Sequence, residues 1–327
     1  MLKPALLTSI LHSRGTAVVL AAVAVLFFWL YYASGLTVHI SGDKGVALPS
    51  ANEWIAPGAL DFAASIAAYG LSLFLMILIC RIYNVLRSMT WLHVGLFSLM
   101  QAATPGLDVQ IYTGSVMLPV VEVCVLLLLG TYRQPRASGP IFLIFCLLSF
   151  FAATQYCYIV YMLVFLMGCA QMQVFNGRTL VAALIGVVTP WWIMLGFGII
   201  TPADIHLPSF AGVFTLIDFS DTFMLLSTVG LTALLIVLSL VLNVFRTIAY
   251  NARARAVNGV FTVLSLVTLL ACCVDYHNLI SYIPLLNFCA ALQVSHYFAT
   301  HRAEKSCFAI LPVMVAYIAI YICQRVI

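Results

Sequence analysis

Long apolar runs separated by short polar stretches repeat along the whole chain. The runs extend over 15 to 23 residues, and a helix needs about 20 residues to cross the hydrocarbon layer of a membrane. The third, fourth and fifth runs are short, so they either lie nearly upright or end inside the bundle against buried polar groups. The pattern predicts eleven membrane-spanning helices, over residues 16–34, 59–80, 87–103, 115–131, 140–154, 156–175, 179–200, 222–244, 257–274, 279–298 and 306–323.

The composition agrees with this pattern. The chain of 327 residues is 64% hydrophobic and 7% charged, against about 25% charged residues in ordinary soluble domains. We therefore expect an all-α, polytopic helical membrane protein in which residues 1–327 form a single integral membrane domain. The first span has a basic flank, but it exits through LYYASG, where tyrosines occupy positions at which cleavage sites prefer small residues. A retained signal anchor is therefore favoured over a cleaved signal peptide.

The distribution of basic residues predicts the orientation. Lysine and arginine accumulate in short cytoplasmic loops. With the N-terminus in the cytoplasm, twelve of the 14 basic residues fall on the inner side, and Lys44 and Arg325 fall outside. We expect a multi-pass protein of the cell inner (cytoplasmic) membrane, N-in and C-out. The net charge of +4 is then a topology signal, and no basic patch with interleaved aromatic residues indicates a nucleic-acid partner.

Motifs of common enzyme classes are missing from the sequence. It contains no Walker A, G-x-S-x-G or H-E-x-x-H pattern, and no C-x-x-C among its 10 cysteines. The cysteines are interpreted as small apolar packing residues, because the long outer loops contain none. His93 and His296 lie in different spans without a second histidine at a spacing that would bind haem. The sequence therefore predicts no metal-binding residues and no resident cofactor.

Two outer loops are longer than a connection between helices requires. The loop over 35–58 has an amphipathic piece near Trp54, and the loop over 201–221 carries Phe210, Phe214 and Phe219. We expect short interfacial helices near Trp54 and Phe214 that cover the outer mouth of the bundle. The outer loops and their edges also carry the candidate polar residues Asp43, Glu53, Asp61, Asp108, Asp204 and His206.

Two interpretations of these outer residues stay open. Outer loops carry acids when basic residues are excluded from them, which requires no site. Alternatively, carboxylates at the membrane surface act as a general base toward a lipid-linked substrate, or bind a divalent cation. Under the second interpretation, the candidate catalytic residues are Asp43, Glu53 and Asp61. The candidate residues of a substrate or polar cavity are then Asp108, Asp204 and His206, together with Glu122.

Glu122 stands in the middle of the fourth predicted span, within PVVEVCVLLLLG. An ionised carboxylate at this depth costs several kcal/mol unless it is paired, protonated or hydrated. One interpretation is a protonated structural residue that faces the bundle. The other is a residue that lines a polar cavity open to the outer side. The sequence leaves both interpretations open.

The order of parts over residues 59–198 resembles the membrane core of the GT-C glycosyltransferases, which use polyprenyl-phosphate-linked sugars. An N-in anchor precedes an outer loop with Asp43 and Glu53, and a long span then ends in CRIYNVLRS. A short span closes with SLMQAATPGLDVQIYTGSVM, a tight helix pair follows over 139–179, and a later span carries GVVTPWWIMLGFG. More narrowly, the chain resembles a family of multi-span envelope proteins of Gram-negative bacteria that share this order and a TPWW-like sequence segment.

This resemblance implies a GT-C-like arrangement and a role in cell-envelope glycan or lipid-linked sugar assembly. The implied partners are the lipid bilayer and a polyprenyl-phosphate-linked sugar, or another envelope protein. The chain departs from the family because Asp43 and Glu53 are ten positions apart, whereas the acid pair of GT-C enzymes sits close together. A non-catalytic subunit or scaffold of an envelope complex is the alternative, followed by a transporter or flippase with Glu122 in its pathway.

Overall fold

The computed structural model describes residues 13–35, 45–86, 91–134, 136–206, 219–247, 251–300 and 310–326. Within these ranges it contains eleven α-helices and no strand, which confirms the predicted all-α class. Each helix overlaps one of the predicted apolar spans. In chain order they are α1 Arg14–Ala33, α2 Ala59–Tyr83, α3 Leu92–Ala102, α4 Thr113–Leu129, α5 Ser138–Ala152, α6 Cys157–Gln171, α7 Gly177–Gly196, α8 Phe219–Thr247, α9 Ala252–Val274, α10 Leu279–Thr300 and α11 Ile310–Val326.

Six of the described helices are long and apolar enough to cross a membrane. They are α1, α2, α7 and α9, with the stretch Leu225–Asn243 of α8 and a stretch containing most of α10. Their outer faces are apolar as well: Leu184, Val188 and Trp192 of α7, for example, are all exposed. Long apolar helices with apolar outer faces are the features of a membrane-embedded protein.

The described connecting segments meet in two groups, at opposite ends of the bundle. At one end, the backbone N–H of Ala47 donates to the carbonyl of Ala153 over 2.8 Å, which joins the segment before α2 to the α5–α6 connection. At the other end, the N–H of Arg133 donates to the carbonyl of Met172 over 3.0 Å, which joins the segments after α4 and α6. The bundle therefore has two distinct loop surfaces.

We name these surfaces the acidic end and the basic end after the charged side chains described there. The acidic end carries Glu53, Asp61, Asp108, Asp204 and Asp275. The basic end carries Arg14, Arg81, Arg133, Arg136, Arg178, Arg253 and Arg255. The orientation predicted from the sequence would place the basic end in the cytoplasm.

The centre of the bundle is formed by α3 and α10. All 11 residues of α3 are buried, and 89% of the apolar window around α10 is buried. At 1.5 Å per residue α3 is only about 16 Å long. This helix covers most of the described part of the span predicted over 87–103, whose residues 87–90 lie outside the described ranges. The α3–α4 connection that follows is also buried over most of its length. Hydrogen bonds within its turns satisfy buried backbone polar groups; the N–H of Asp108, for example, donates to the carbonyl of Pro105 over 3.2 Å.

Glycines allow two pairs of helices to approach closely. A Cβ at Gly186 of α7 would lie 2.6 Å from the backbone oxygen of Phe142 in α5. A Cβ at Gly114 of α4 would lie 2.8 Å from the backbone oxygen of Ser281 in α10. Because lipid gives helices no hydrophobic reason to associate, small residues at their contacts are a main source of packing energy. The α5–α7 and α4–α10 contacts therefore depend on these two positions.

The segment before α2 folds over the acidic end, and we name residues 45–58 the cover. It contains a 3-10 turn, Ala51–Glu53, followed by Trp54, whose indole Nε1 donates to the Pro49 carbonyl over 3.0 Å. The side chain of Asn52 accepts a hydrogen bond of 3.3 Å from the backbone N–H of Thr113. The cover is thus docked at the start of α4. The second interfacial helix, expected near Phe214, lies outside the described residues.

Candidate functional site

The three candidate catalytic acids have different positions. Asp43 lies outside the described residues. Asp61 is buried in the first turn of α2, where its Oδ1 accepts a 2.7 Å hydrogen bond from the backbone N–H of Ile111. Asp61 therefore ties the start of α2 to the α3–α4 connection. Glu53 is exposed at the end of the 3-10 turn of the cover, and its carboxylate has no bonded partner among the described residues.

Asp204 and His206 are exposed residues of the second outer loop. Asp204 Oδ2 accepts hydrogen bonds from the backbone N–H (2.7 Å) and the hydroxyl (2.8 Å) of Thr201, and so caps a 3-10 turn. These bonds lower the pKa of Asp204 below its ordinary value. The backbone N–H of His206 donates to the carbonyl of Val46 over 2.8 Å, which attaches this loop to the cover. Both residues have a role in local structure that needs no substrate.

The acids of the outer loops are not gathered into a ligand cluster. Within the described ranges, no group of three or more His, Cys, Asp or Glu side chains is placed to hold a metal ion. Asp61 and Asp204 are each engaged by a different backbone segment. The described part of the chain therefore offers no built site for the divalent cation considered from the sequence.

Asp108 belongs to a buried network of polar side chains. Its Oδ1 accepts a 3.0 Å hydrogen bond from Gln101 Nε2, and Gln101 Oε1 accepts one of 3.0 Å from Asn287 Nδ2. The hydroxyl of Thr232 lies 3.5 Å from Asn287 Oδ1 and 2.7 Å from the hydroxyl of Tyr317. All five side chains are buried. The network links the α3–α4 connection to α3, α10, α8 and α11.

The carboxyl group of Asp108 is only half satisfied. Its Oδ2 is buried and has no hydrogen-bond partner among the described residues. Burial raises the pKa of Asp108 to about 7, and the hydrogen bond from Gln101 offsets part of that rise. The phenol groups of Tyr69 and Tyr112 lie within electrostatic range of the carboxyl group. A carboxyl group with a pKa near neutrality is suited to exchanging a proton under physiological conditions.

Glu122 faces the interior of the bundle, at the contact between α4 and α2. Its side chain is 0% exposed, and neither carboxylate oxygen has a hydrogen-bond partner among the described residues. The hydroxyl of Ser72 on α2 lies beside it, although its geometry falls short of a hydrogen bond. Ser65 and Tyr69 share the same buried face of α2 as Ser72. The fold thus encloses a carboxyl group beside a row of hydroxyl groups.

A further carboxylate at the acidic end, Asp275, was not predicted as a site residue. It accepts hydrogen bonds from the hydroxyls of Tyr156 (2.8 Å, to Oδ1) and Tyr282 (2.9 Å, to Oδ2). The side-chain amide of Asn278 donates to both oxygens, at 3.2 and 3.3 Å. Tyr156 is 119 positions away from Asp275 in the chain, so no local spacing signals the pair. These bonds fix the start of α6 to the α9–α10 connection.

Two clefts open at the basic end, on either side of the C-terminus of α2. One has a volume of about 250 Å³ and lies between the start of α1, the end of α2 and the start of α3. The other, of about 240 Å³, lies between the ends of α2 and α10 and the start of α9. Asn84 lines both clefts and ends α2 in the left-handed conformation, with φ of 49°. Asparagine tolerates that conformation better than most residues.

Comparisons with known proteins give no assignment for this chain. No protein-family model matches it, and neither a curated protein nor a solved structure does. The likeness to the GT-C glycosyltransferases therefore rests on the order of parts in the sequence. Any reaction must be inferred from the positions of individual side chains.

Proposed function

We propose that the chain is a multi-pass protein of the inner membrane, with the basic end and the N-terminus in the cytoplasm and the acidic end outside. Two observations support this orientation. The described connecting segments lie at two opposite ends of the bundle, and the described arginines gather at one of them. Arginine-rich loops are retained on the cytoplasmic side during insertion.

This orientation predicts the activity of alkaline phosphatase fusions, because that enzyme matures only outside the cytoplasm. A fusion after Arg325, near the end of α11, should be active. A fusion after Arg255, in the first turn of α9, should be inactive, with immunoblots showing equal amounts of both proteins. The reverse pattern of activity would contradict the proposed orientation.

At the acidic end, the proposed reaction is sugar transfer from a polyprenyl-phosphate-linked donor during envelope glycan assembly. The position of Glu53 is the observation that carries this proposal. A general base needs an accessible, unengaged carboxylate in a fixed place. Glu53 is exposed and has no bonded partner among the described residues, whereas Asp61 and Asp204 are each occupied by backbone donors. The cover that carries Glu53 is itself docked on Thr113.

In this reaction, Glu53 accepts the proton of an acceptor hydroxyl group. The hydroxyl oxygen forms a bond to the anomeric carbon of the donor sugar, and the bond from that carbon to the phosphate oxygen breaks. Polyprenyl phosphate is the leaving group and keeps the electron pair. Trp54, next to Glu53 and 42% exposed, provides an aromatic surface of the kind found at the headgroup level of membranes.

Substituting Glu53→Gln is expected to lower transfer by about 10²- to 10⁴-fold, the usual contribution of a general base. The measurement is incorporation of radiolabelled sugar from polyprenyl-phosphate donors into envelope glycan, in membranes of a deletion strain that carries the variant. Asp204→Asn is the matched control, because Asp204 is also an exposed outer acid but already caps its own turn. The control should transfer sugar at the wild-type rate.

Equal transfer by the wild-type and Glu53→Gln proteins would contradict a catalytic role for Glu53. If neither protein shows transfer, yet both restore the envelope of the deletion strain, the non-catalytic subunit is the better description. A transporter is a second candidate, and a different observation favours it: Asp108 and Glu122 are buried carboxyl groups inside the bundle. Intramembrane ionisable residues commonly mark ion or substrate pathways.

A further inference from the structure

The cleft between α1, α2 and α3 brings together two arginines from distant parts of the chain. Arg14 is the first residue of α1, and Arg81 lies in the last turn of α2. Both line the cleft, together with Trp91 and the buried His93 at the start of α3. The guanidinium carbon of Arg14 lies 5.5 Å from the centre of the Trp91 ring, a cation–π distance. The indole therefore holds the Arg14 side chain at the cleft.

The positive charge of this cleft is not neutralised by the described protein. No acidic residue lines the cleft, and neither Arg14 nor Arg81 is paired with a carboxylate among the described residues. Retention of basic loops in the cytoplasm explains why arginines occur at this end. It does not explain why two of them, from different helices, line one concave space with a tryptophan beside them.

Apart from Asn84, the rest of the cleft lining is apolar. Ile77, Cys80 and Leu86 contribute to it, so a charged rim borders a hydrophobic wall. The volume of about 250 Å³ equals the space of roughly eight water molecules at about 30 Å³ each, which accommodates a phosphate group and the atoms attached to it. Guanidinium groups bind phosphate oxygens through paired hydrogen bonds. Basic pockets between helices on the cytoplasmic side are suited to lipid headgroups.

We propose that the cleft lined by Arg14, Arg81 and Trp91 binds a phosphate group, carried by an anionic lipid headgroup or by a free phosphate compound. The two guanidinium groups hold the phosphate oxygens, and the apolar wall accommodates the beginning of an acyl chain when a lipid is bound. The cleft lies at the opposite end of α2 from Glu53, so this site does not depend on the transferase function.

The test is native mass spectrometry of the detergent-purified full chain, titrated separately with phosphatidylglycerol, phosphatidylcholine and sodium phosphate. The double variant Arg14→Gln, Arg81→Gln should bind phosphatidylglycerol at least tenfold more weakly than wild type. Arg178→Gln, Arg255→Gln is the matched control, because it removes the same charge from the basic end outside this cleft. The control variant should bind phosphatidylglycerol as tightly as the wild type does. Both the wild type and the control variant should bind phosphatidylcholine more weakly than phosphatidylglycerol.

The titrations also separate the two sources of the phosphate group. If sodium phosphate does not displace bound phosphatidylglycerol, the cleft is a lipid site. If the wild type binds phosphate in the absence of lipid and the Arg14→Gln, Arg81→Gln variant does not, the cleft is a site for free phosphate compounds. Equal loss in the cleft and control variants, or no loss in either, would overturn the proposal. If the glutamine variant fails to insert, Arg14→Lys, Arg81→Lys retains the charge and the topology. It should still weaken binding, because lysine lacks the paired donors, and unchanged binding would reject the site.

Discussion

Replacing Glu122 by methionine is expected to raise the thermal stability of the protein while removing its function. The carboxyl group is fully buried, and neither oxygen has a hydrogen-bond partner among the described residues. A buried polar group without a partner costs about 1–3 kcal/mol, and methionine removes that cost while its flexible side chain fills the same space. The expected gain is a few degrees in the midpoint of thermal unfolding in detergent. A residue retained at a cost to stability is typical of a functional site.

The substitution Glu122→Gln removes the ionisable group but preserves the size of the side chain and one acceptor oxygen. The unfolding midpoint should therefore stay close to that of the wild type. If the carboxyl group of Glu122 must gain and lose a proton or bind a cation, the Glu122→Gln variant should not restore the envelope of a deletion strain. Leu128→Met is the control for methionine in α4, since Leu128 is fully buried in the same helix.

Two outcomes would count against a functional Glu122. A lower unfolding midpoint for Glu122→Met than for Leu128→Met would indicate that the carboxyl group stabilises the fold, with Ser72 as the partner beside it. Full restoration of the envelope by both Glu122 variants would remove this residue from any candidate site. The outer acids and Asp108 would then be the remaining candidates.

The helices were predictable because bilayer thickness imposes a length on apolar runs. The run over 59–80 corresponds to α2, Ala59–Tyr83, and the run over 279–298 corresponds to α10, Leu279–Thr300. The helix α3 covers Leu92–Ala102 within a predicted span of 87–103, whose residues 87–90 lie outside the described ranges. Protein surrounds α3 on all sides, so its length is set by contacts with other helices. Hydropathy alone cannot distinguish such a helix from one that meets lipid.

The polar contacts were less predictable than the helices. Glu122 stands out in the sequence because a carboxylate interrupts an apolar run. Asp108 is marked by sequence only as an acid of an outer loop, and its burial follows from the packing of the whole α3–α4 connection. Its network depends on Asn287 reaching Gln101 from 186 positions away, and no local pattern contains that information. Tertiary hydrogen bonds of this kind require the relative placement of helices.

Replacing Asp108 by asparagine is expected to remove much of the pH dependence of stability between pH 5 and 8. Burial raises the pKa of this carboxyl group from 3.8 to about 7 in the folded protein. Between these values the folded state holds a proton that the unfolded state has released, so the free energy of unfolding falls as pH rises toward 7. The loss is on the order of 4 kcal/mol from one group above that pH. Asparagine stays neutral and still accepts from Gln101.

The measurement is the unfolding midpoint in detergent at a series of pH values. The midpoint of Asp108→Asn should rise relative to that of the wild type from pH 5 to about pH 7, and the difference should change little between pH 7 and 8. Asp204→Asn is the control, because hydrogen bonds lower the pKa of Asp204, so its contribution to stability is constant above its ordinary titration range and changes only below it. The profile of that control should run parallel to the wild-type profile from pH 5 to 8. Parallel profiles for wild type and Asp108→Asn would mean that Asp108 does not titrate in this range, and would exclude it as a group that exchanges protons near neutral pH.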